Sequence, residues 1–265
     1  MKTENKTILI TGGASGIGKI MCRMLLADNN HIILWDINEE ALNKTIAEFS
    51  DYGQVKGLCI DISDTVQLTN SIHDLRCRGI KIDILINNAG IVIGKYFQEN
   101  TTNDIIRTFQ INTIAPILLA HEILQDMLHA GNGHICNIAS SAGLVANPKM
   151  AVYAASKWAI AGWSDSLRLE MEQQNQPIHI TTVMPYYINT GMFDGVRSKI
   201  PILDPEITAK QIILAIEKKK KMLTIPGYLY SITRLAQGIF PVRIYDFLAG
   251  RIFGVYQTMR NFKGH

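Results

Sequence analysis

The sequence of 265 residues lacks the cysteine and histidine patterns that mark metal sites and disulfide frameworks. Its four cysteines, Cys22, Cys59, Cys77 and Cys136, form no CxxC pair. We therefore expect reduced thiols in an intracellular protein, and neither a zinc site nor disulfide bonds. The seven histidines include no HExxH motif and no other cluster with ligand spacing, so we predict that no metal is bound.

Strong charge of one sign and long apolar runs are also missing. Charged residues make up 18% of the chain and the formal net charge is +3, a bias too small to indicate nucleic acid as a partner. The N-terminus is polar, and no stretch reaches the roughly 18 apolar residues of a membrane-spanning helix. We expect a cytoplasmic protein that contacts a membrane at most through its surface. The hydrophobic fraction of 47% excludes a disordered or fibrous chain.

Short apolar runs alternate with helix-length amphipathic segments along the whole chain. This alternation predicts an α/β protein with one doubly wound parallel sheet of the Rossmann type and helices on both faces. The predicted strands are Thr7–Thr11, His31–Trp35, Gln54–Ile60, Ile82–Asn87, His134–Ala139 and His179–Met184. The predicted helices are Gly16–Ala27, Glu39–Phe49, Ser63–Arg78, Thr102–Ala130, Val152–Gln173 and Pro205–Lys219. We expect a single domain over residues 1–265, with a core at 5–220 and an apolar C-terminal segment at 221–265.

The first predicted strand runs into a glycine-rich turn, Thr11–Gly18, which reads TGGASGIG. Glycine permits the positive φ and the close backbone approach that so tight a turn requires, and free amides at the start of the next helix suit a pyrophosphate. The spacing is TGxxxGxG and not GxGxxG, and a glycine-rich loop without a ligand is the alternative. The strand before and the helix after it favour a dinucleotide site. The predicted contacts in this turn are Thr11, Gly12, Ser15, Gly16, Ile17 and Gly18.

Acidic residues follow the second and third predicted strands. Asp36 lies 18 residues past Gly18, close to the spacing at which an acid binds both hydroxyls of the adenine-side ribose. A phosphate on that ribose would meet the carboxylate charge, so we predict NAD as the cofactor over NADP. The alternative is that Asp36 caps the helix that begins near Glu39. Asp61 could accept a hydrogen bond from the adenine amino group or cap the next helix, and the sequence does not separate these two roles.

A serine, a tyrosine and a lysine form the candidate catalytic set. Ser140 follows the fifth predicted strand, and Tyr153 and Lys157 at positions i and i+4 share a helix face. An ammonium group nearby favours the phenolate and lowers the phenol pKa from its usual value of about 10. Tyr153 could then take the alcohol proton while hydride leaves for a nicotinamide, with Ser140 orienting the substrate oxygen. A helix-surface pair is the alternative, since Tyr52 and Lys56 show the same spacing in an unrelated context.

Five motifs in a fixed order make this sequence similar to the short-chain dehydrogenase/reductase family over about residues 5–220. They are TGGASGIG, Asp36, the NNAG of residues 87–90, Asn112, and Ser140 with Tyr153 and Lys157. The resemblance implies that Ser140 positions the substrate oxygen and that Tyr153 is the acid/base. It implies that Lys157 holds the nicotinamide ribose and lowers the pKa of Tyr153, and that Asn112 fixes a water that relays the proton.

The same resemblance extends the set of cofactor contacts. Further cofactor-binding residues are implied at Asp61, Ile62, Asn88, Ala89, Gly90, Tyr153, Lys157, Pro185, Ile188 and Thr190. One departure from the family pattern follows the sixth strand, where Tyr186 stands in place of the usual glycine after Pro185. An aromatic side chain there changes the expected shape of the substrate pocket.

The segments Asn189–Phe193, Asp204–Glu206 and Met222–Pro226 look like those of retinol and hydroxysteroid dehydrogenases. This implies a lipophilic alcohol or ketone as substrate, and relatives are commonly a homodimer or a homotetramer. Apolar side chains are expected over the substrate, although packing under a loop is the alternative: Leu144, Val145, Met150, Met192, Phe193 and Ile200.

Residues 226–260 combine apolar side chains with interspersed arginines. We predict for them a subunit interface, a lid over the pocket, or a peripheral membrane contact, in that order. A non-catalytic dinucleotide-sensing or scaffold protein on the same fold is the competing functional hypothesis, and the complete serine–tyrosine–lysine set argues against it. A hydrolase is disfavoured because no GxSxG turn is present.

Overall fold

The computed structural model describes residues 3–262 and shows a parallel sheet of seven strands in that range. The strands are Thr7–Thr11 (β1), His31–Asp36 (β2), Val55–Cys59 (β3), Ile84–Asn87 (β4), Gly133–Ile138 (β5), Ile178–Pro185 (β6) and Met222–Ile225 (β7). They are ordered β3-β2-β1-β4-β5-β6-β7, which confirms the predicted doubly wound sheet. The strand order reverses between β1 and β4, so their carboxyl ends flank the crevice where ligands of such sheets bind. The edge strand β7 was not predicted.

Helices cover both faces of the sheet. Those of the described residues are Gly16–Leu26 (α1), Glu39–Phe49 (α2), Thr65–Cys77 (α3), Thr102–Phe109 (α4), Ala115–Ala130 (α5), Ala151–Gln173 (α6), Pro205–Glu217 (α7), Tyr228–Ile239 (α8) and Val242–Phe247 (α9). Not one helix of residues 3–262 combines the length and the apolarity needed to cross a membrane.

The helix predicted over 102–130 is interrupted by a π-helical turn at Gln110–Ile114, between α4 and α5. Proline at position 116 has no N–H, so it cannot donate to the carbonyl of Asn112 as the next turn of an α-helix would require. The amide of Ala115 instead donates to the carbonyl of Gln110, five residues back. The prediction of one continuous helix was wrong, and the interruption places Asn112 beside the crevice.

The alternation of side chains along β1 shows how the sheet separates two cores. Ile8 and Ile10 lie in one apolar cluster with Met21 of α1, whereas Leu9 lies in the opposite cluster with Leu119 of α5. All five side chains are fully buried. Strands covered on both faces need apolar residues at successive positions. This is why the predicted strands appear in the sequence as uninterrupted runs of apolar residues.

The cysteines divide into two buried and two exposed thiols. Burial raises the pKa of Cys22 and of Cys136 to about 12, while Cys59 and Cys77 are exposed. Because the thiolate is the reactive form, we expect a colorimetric thiol reagent to modify two thiols of the native protein and four after denaturation. Cys59→Ser should reduce the native count to one. Rapid modification of four native thiols would contradict this burial.

Candidate active site

The glycine-rich turn after β1 packs directly against the loop after β4. Gly12 has a φ of +64°, and a Cβ there would lie 2.9 Å from the Cα of Ala89. Two amides of the β4 loop, at Asn88 and Ala89, donate to the hydroxyl of Thr11 at 3.1 Å each. The side-chain amide of Asn88 donates to the carbonyls of Thr11 and Gly12 at 3.0 Å each. Asn88 therefore locks the two loops together.

Gly18 is required by the same close packing. A Cβ at this position would lie 2.2 Å from the carbonyl oxygen of Gly12 and 2.7 Å from the side-chain nitrogen of Asn88. We expect Gly18→Ala to displace the turn, to lower the free energy of unfolding by about 1–3 kcal/mol, and to weaken cofactor binding. Chemical denaturation and calorimetric titration with NAD would measure both effects.

Gly162 provides the matched control, since a Cβ there meets no atom within 4 Å. Because alanine is the better helix former, Gly162→Ala should leave cofactor affinity unchanged and stability equal or slightly higher. Equal behaviour of the two variants would show that the close approach at Gly18 is unimportant.

Asp36 is held at the end of β2 by the turn that it faces. Its Oδ2 accepts from the amide of Ala14 at 2.9 Å, and its Oδ1 accepts from the amide of Asn38 at 3.0 Å. The helix cap considered for Asp36 is supplied instead by Asn38, whose side chain accepts from the amide of Ala41 at 3.0 Å. Asp36 is thus positioned by the glycine-rich turn and does not begin α2.

The Asp61 side chain forms its hydrogen bonds with a residue of its own loop. Its Oδ1 accepts from both the amide and the hydroxyl of Ser63, at 2.9 and 2.7 Å. The cap of α3 is Asp64, which accepts from the amides of Val66 and Gln67. The alternative that Asp61 caps the helix is therefore wrong.

A cavity of about 580 Å³ opens between the carboxyl ends of the strands, a size typical of ligand pockets. Thirteen predicted site residues line it: Gly12, Ser15, Gly16, Ile17, Asn88, Ala89, Gly90, Ser140, Tyr153, Lys157, Pro185, Ile188 and Thr190. Predicted residues outside this lining are Thr11, Gly18, Asp36, Asp61, Ile62 and Asn112. Thr11 and Gly18 support the turn from behind, and Ile62 is buried in the core.

Three lining residues were predicted neither as site residues nor as parts of the substrate pocket: Asn38, Ile138 and Ala139. Ile138 ends β5 and Ala139 follows it directly before Ser140, while Asn38 follows β2. Their positions at strand ends were the only available signal. Tyr186, Met192 and Phe193 complete the lining.

Tyr153, Ser140 and Lys157 meet inside the cavity. The hydroxyl of Ser140 acts to lower the pKa of Tyr153, and Ser140 Oγ accepts from the amide of Ala142 at 3.1 Å. Lys157 Nζ lies 5.7 Å from the centroid of the Tyr153 ring and donates to the carbonyl of Ile138 at 2.9 Å. Tyr153 is 5% exposed and Lys157 4%, so the alternative of a helix-surface pair is wrong.

The electrostatics of this set differ from the expectation in one respect. Burial raises the pKa of Tyr153 to about 12, while the hydroxyl of Ser140 acts in the opposite direction. Burial lowers the pKa of Lys157 to about 8. We had predicted a lowered phenol pKa, but in the protein alone the loss of solvation outweighs the stabilisation of the phenolate.

Asn112 lies behind the cavity, in the π-helical turn. Its side-chain nitrogen donates to the carbonyl of Ile91 at 2.9 Å and to Ser156 Oγ at 3.1 Å, and its Oδ1 accepts from the amide of Ile91 at 2.9 Å. The side chain therefore fixes the loop after β4. A water-binding role would fall to the main-chain carbonyl, which Pro116 leaves without an α-helical donor.

A second cavity of about 50 Å³ adjoins the first, and Ser140, Tyr186 and Phe193 line both. Of the predicted substrate-pocket residues, Val145, Met150, Phe193 and Ile200 line this second cavity and Met192 lines the first. Leu144 does not contribute, because it is 1% exposed in a core cluster with Ile160 and Met184.

Two tyrosines shape the second cavity. The hydroxyl of Tyr186 hydrogen-bonds with Ser198 Oγ at 2.8 Å, so the aromatic ring that replaces the usual glycine is anchored. The hydroxyl of Tyr187 hydrogen-bonds with Thr258 Oγ1 at 2.9 Å and accepts from the side chain of Asn147 at 3.2 Å. The bond between Tyr187 and Thr258 holds the end of the described chain beside this cavity, which Val255 also lines.

The sequence matches the family model for short chain dehydrogenases over residues 6–201. The chain therefore belongs to the short-chain dehydrogenase/reductase family of oxidoreductases, as its motifs predict. It is 32% identical over 264 residues to epidermal retinol dehydrogenase 2 of Mus musculus, covering 97% of this chain and 85% of that protein. It is 28% identical over 259 residues to estradiol 17-beta-dehydrogenase 11 of Rattus norvegicus, covering 97% and 87%.

Solved structures show the same fold. A short chain dehydrogenase/reductase from Burkholderia phymatum, in complex with NAD, superposes with a TM-score of 0.81 at 22% identity, over 90% of this chain and 95% of that one. A short-chain dehydrogenase from Sphingobium yanoikuyae, in complex with NADPH, gives a TM-score of 0.78 at 24% identity, over 88% and 94%. At these identities the likeness establishes the fold alone.

Proposed function

We propose that this protein transfers hydride between NAD(H) and the alcohol or ketone carbon of a lipophilic substrate. The observation that carries the proposal is that Tyr153, Ser140 and Lys157, all three buried, line the cavity that the glycine-rich turn enters. The family match supports the dehydrogenase activity.

The cavity fits a dinucleotide at the start of α1. Ser15 precedes this helix, and its side chain caps none of the first-turn amides, which leaves them available to anionic oxygens. Gly16, with a φ of +52°, brings the backbone close to the ligand space. Gly12, Ile17 and the β4 loop residues Asn88, Ala89 and Gly90 would line the same half of the site, and Pro185, Ile188 and Thr190 would contact the nicotinamide end.

Asp36 supports a preference for NAD over NADP. Asp61 and Ile62 would lie beside the adenine. The Asp36 carboxylate is fixed by two amides at the end of β2, where it can accept from ribose hydroxyls and would repel a phosphate on that ribose. Ser15, in the turn, carries no compensating positive charge.

A bound nicotinamide would supply the hydride chemistry, and the residues of this chain would hold and move the proton. During oxidation, the substrate hydroxyl donates its proton to the phenolate oxygen of Tyr153 as the carbon–hydrogen bond breaks, and a carbonyl forms. Ser140 holds the substrate oxygen, and Lys157 stabilises the phenolate and binds a ribose hydroxyl. Asn112, through the loop after β4 and its main-chain carbonyl, would support proton exchange with solvent.

A lipophilic substrate is supported by the apolar and adaptable lining, which includes Met192 of the first cavity and Phe193 and Ile200 of the second. Relatives named retinol and estradiol dehydrogenases are consistent with this substrate class. A homodimer or homotetramer in the cytoplasm, with peripheral membrane contact, completes the proposal.

The direct test is NADH formation with retinol, a hydroxysteroid and a long-chain alcohol, and NADH consumption with the corresponding carbonyl compounds. We expect turnover with at least one pair. Calorimetric binding of NAD without oxidation or reduction across this panel would overturn the enzyme proposal in favour of a dinucleotide sensor.

A further inference from the structure

Helix α8 presents its apolar stripe to solvent. Tyr228, Ile232, Leu235 and Ile239 follow one another at i, i+4, i+7 and i+11, and they are 53%, 56%, 65% and 62% exposed. The buried residue of the helix is Thr233, on the opposite side. A surface helix of a globular protein normally turns such a stripe towards the core. Burial in the protein's own core therefore does not account for the apolar stripe of α8.

Further exposed apolar side chains follow the stripe in α9 and in the residues after it. Of the 23 large apolar side chains exposed among residues 3–262, ten fall between residues 228 and 253. We call these ten the C-terminal patch: Tyr228, Ile232, Leu235, Ile239, Phe240, Val242, Ile244, Phe247, Ile252 and Phe253. Scattered exposed apolar residues are normal, but a concentration of this kind marks an interaction surface.

The charge around the C-terminal patch is positive. Residues 226–262 contain four arginines and one acid, Asp246, which accepts a hydrogen bond from the hydroxyl of Tyr256 at 2.6 Å. Arg234 and Arg251 lie over the rings of Tyr230 and Phe247, at 5.6 and 5.9 Å. The ion pairs recorded within residues 3–262 involve none of these arginines.

We propose that the C-terminal patch lies on the surface of a lipid bilayer that contains anionic lipids. Apolar side chains with tyrosine, phenylalanine and interspersed arginine are what an interfacial helix requires, since the apolar groups enter the acyl boundary and the arginines meet lipid phosphates. A second copy of the chain is a poorer partner. A two-fold contact would place the same arginine-rich surface on both sides, so that positive charges would face each other across the interface.

The inner side of the same segment reaches the substrate cavity. Leu229 of α8 and Val255 line the second cavity together with Ser140, and the side chain of Gln237 donates to the carbonyl of Leu144 at 2.9 Å. A bilayer under the C-terminal patch would therefore deliver lipophilic molecules beside the candidate catalytic serine. This delivery role rests on the proposed oxidation or reduction of a lipophilic substrate, whereas the bilayer contact does not.

The test is flotation of the purified full chain with vesicles of phosphatidylcholine alone and with added phosphatidylserine, without cofactor or substrate. We expect flotation with the anionic vesicles, weakened by high salt. Leu235→Glu should weaken binding about tenfold or more, and Arg243→Glu about fivefold. Leu169→Glu supplies the control: it replaces a leucine of α6, 53% exposed and outside the C-terminal patch, and it should float like the unmodified chain.

The bilayer contact would be overturned if the chain floated with neither kind of vesicle, or if Leu235→Glu bound vesicles as well as the unmodified chain. A lipid-free dimer that Leu235→Glu converts to a monomer, together with no flotation, would identify the C-terminal patch as a subunit interface instead. Because flotation needs no turnover, this result is independent of whether the proposed oxidation occurs.

Discussion

Tyr153→Phe should lower kcat for alcohol oxidation by about 10²- to 10⁴-fold while leaving the fold and NAD affinity nearly unchanged. Phenylalanine keeps the ring that packs edge-on against Phe193, at a centroid distance of 6.2 Å, and removes only the hydroxyl group. Steady-state kinetics with the best substrate of the panel, together with circular dichroism, would measure both parts of this expectation.

Tyr52→Phe is the matched control, because Tyr52 is followed by Lys56 at the same spacing but is 65% exposed and does not line the cavity. Its kcat should equal that of the unmodified protein. Full turnover by Tyr153→Phe would show that another group moves the proton.

The pH dependence supplies a second signature of Tyr153. Since the pKa of its phenol is about 12, the fraction of phenolate grows with pH, and the oxidation rate should rise as pH increases towards about 8. Lys157, whose pKa is about 8, then loses its positive charge and its hold on the phenolate, so the rise should level off. The residual rate of Tyr153→Phe should show no such rise.

Asp36→Ala should shift the ratio of NAD to NADP affinity towards NADP by about 10- to 100-fold. The substitution removes a carboxylate that can accept hydrogen bonds from two ribose hydroxyls. It also removes the negative charge that would repel a phosphate at the same place. Calorimetric dissociation constants for both cofactors would measure the ratio.

Asp36 also holds the amide of Ala14, so its loss could disturb the turn itself. Asp36→Asn separates the two effects, because the asparagine oxygen can still accept one hydrogen bond while the charge is gone. We expect intermediate NAD affinity and improved NADP affinity for this variant. Tighter binding of NADP than of NAD by the unmodified protein would contradict the preference proposed here.

Most of the fold could be predicted because its signals are local. Apolar runs such as His31–Trp35 lie within one residue of the observed strand. Thirteen predicted site residues line one cavity, because most of them lie in or near the loops that follow strand ends. β7, Met222–Ile225, was missed because it is a half-buried edge strand that lacks the fully buried apolar run of an inner strand such as β4. The π-helical turn was missed because its cause is a single proline inside an otherwise helical pattern.

Other features depend on how deeply a side chain is buried and on which way a helix face points. A periodic sequence pattern contains neither kind of information. The apolar spacing of α8 indicates a stripe but not that the stripe faces solvent. The same holds for Tyr153, since the depth at which its phenol is buried decides the sign of its pKa shift. Leu144 was misassigned to the substrate pocket because its neighbours in sequence do line it.

The amide of Asn88 joins the turn after β1 and the loop after β4 into one rigid receptor for the nucleotide half of the ligand. A receptor that is already assembled loses little conformational entropy when it is filled, so affinity there depends on a few fixed backbone contacts. The other half of the cleft is built from methionine and phenylalanine side chains that can rearrange. Substrate choice can thus change by substitution at positions such as Met192 or Phe193 without rebuilding the nucleotide half.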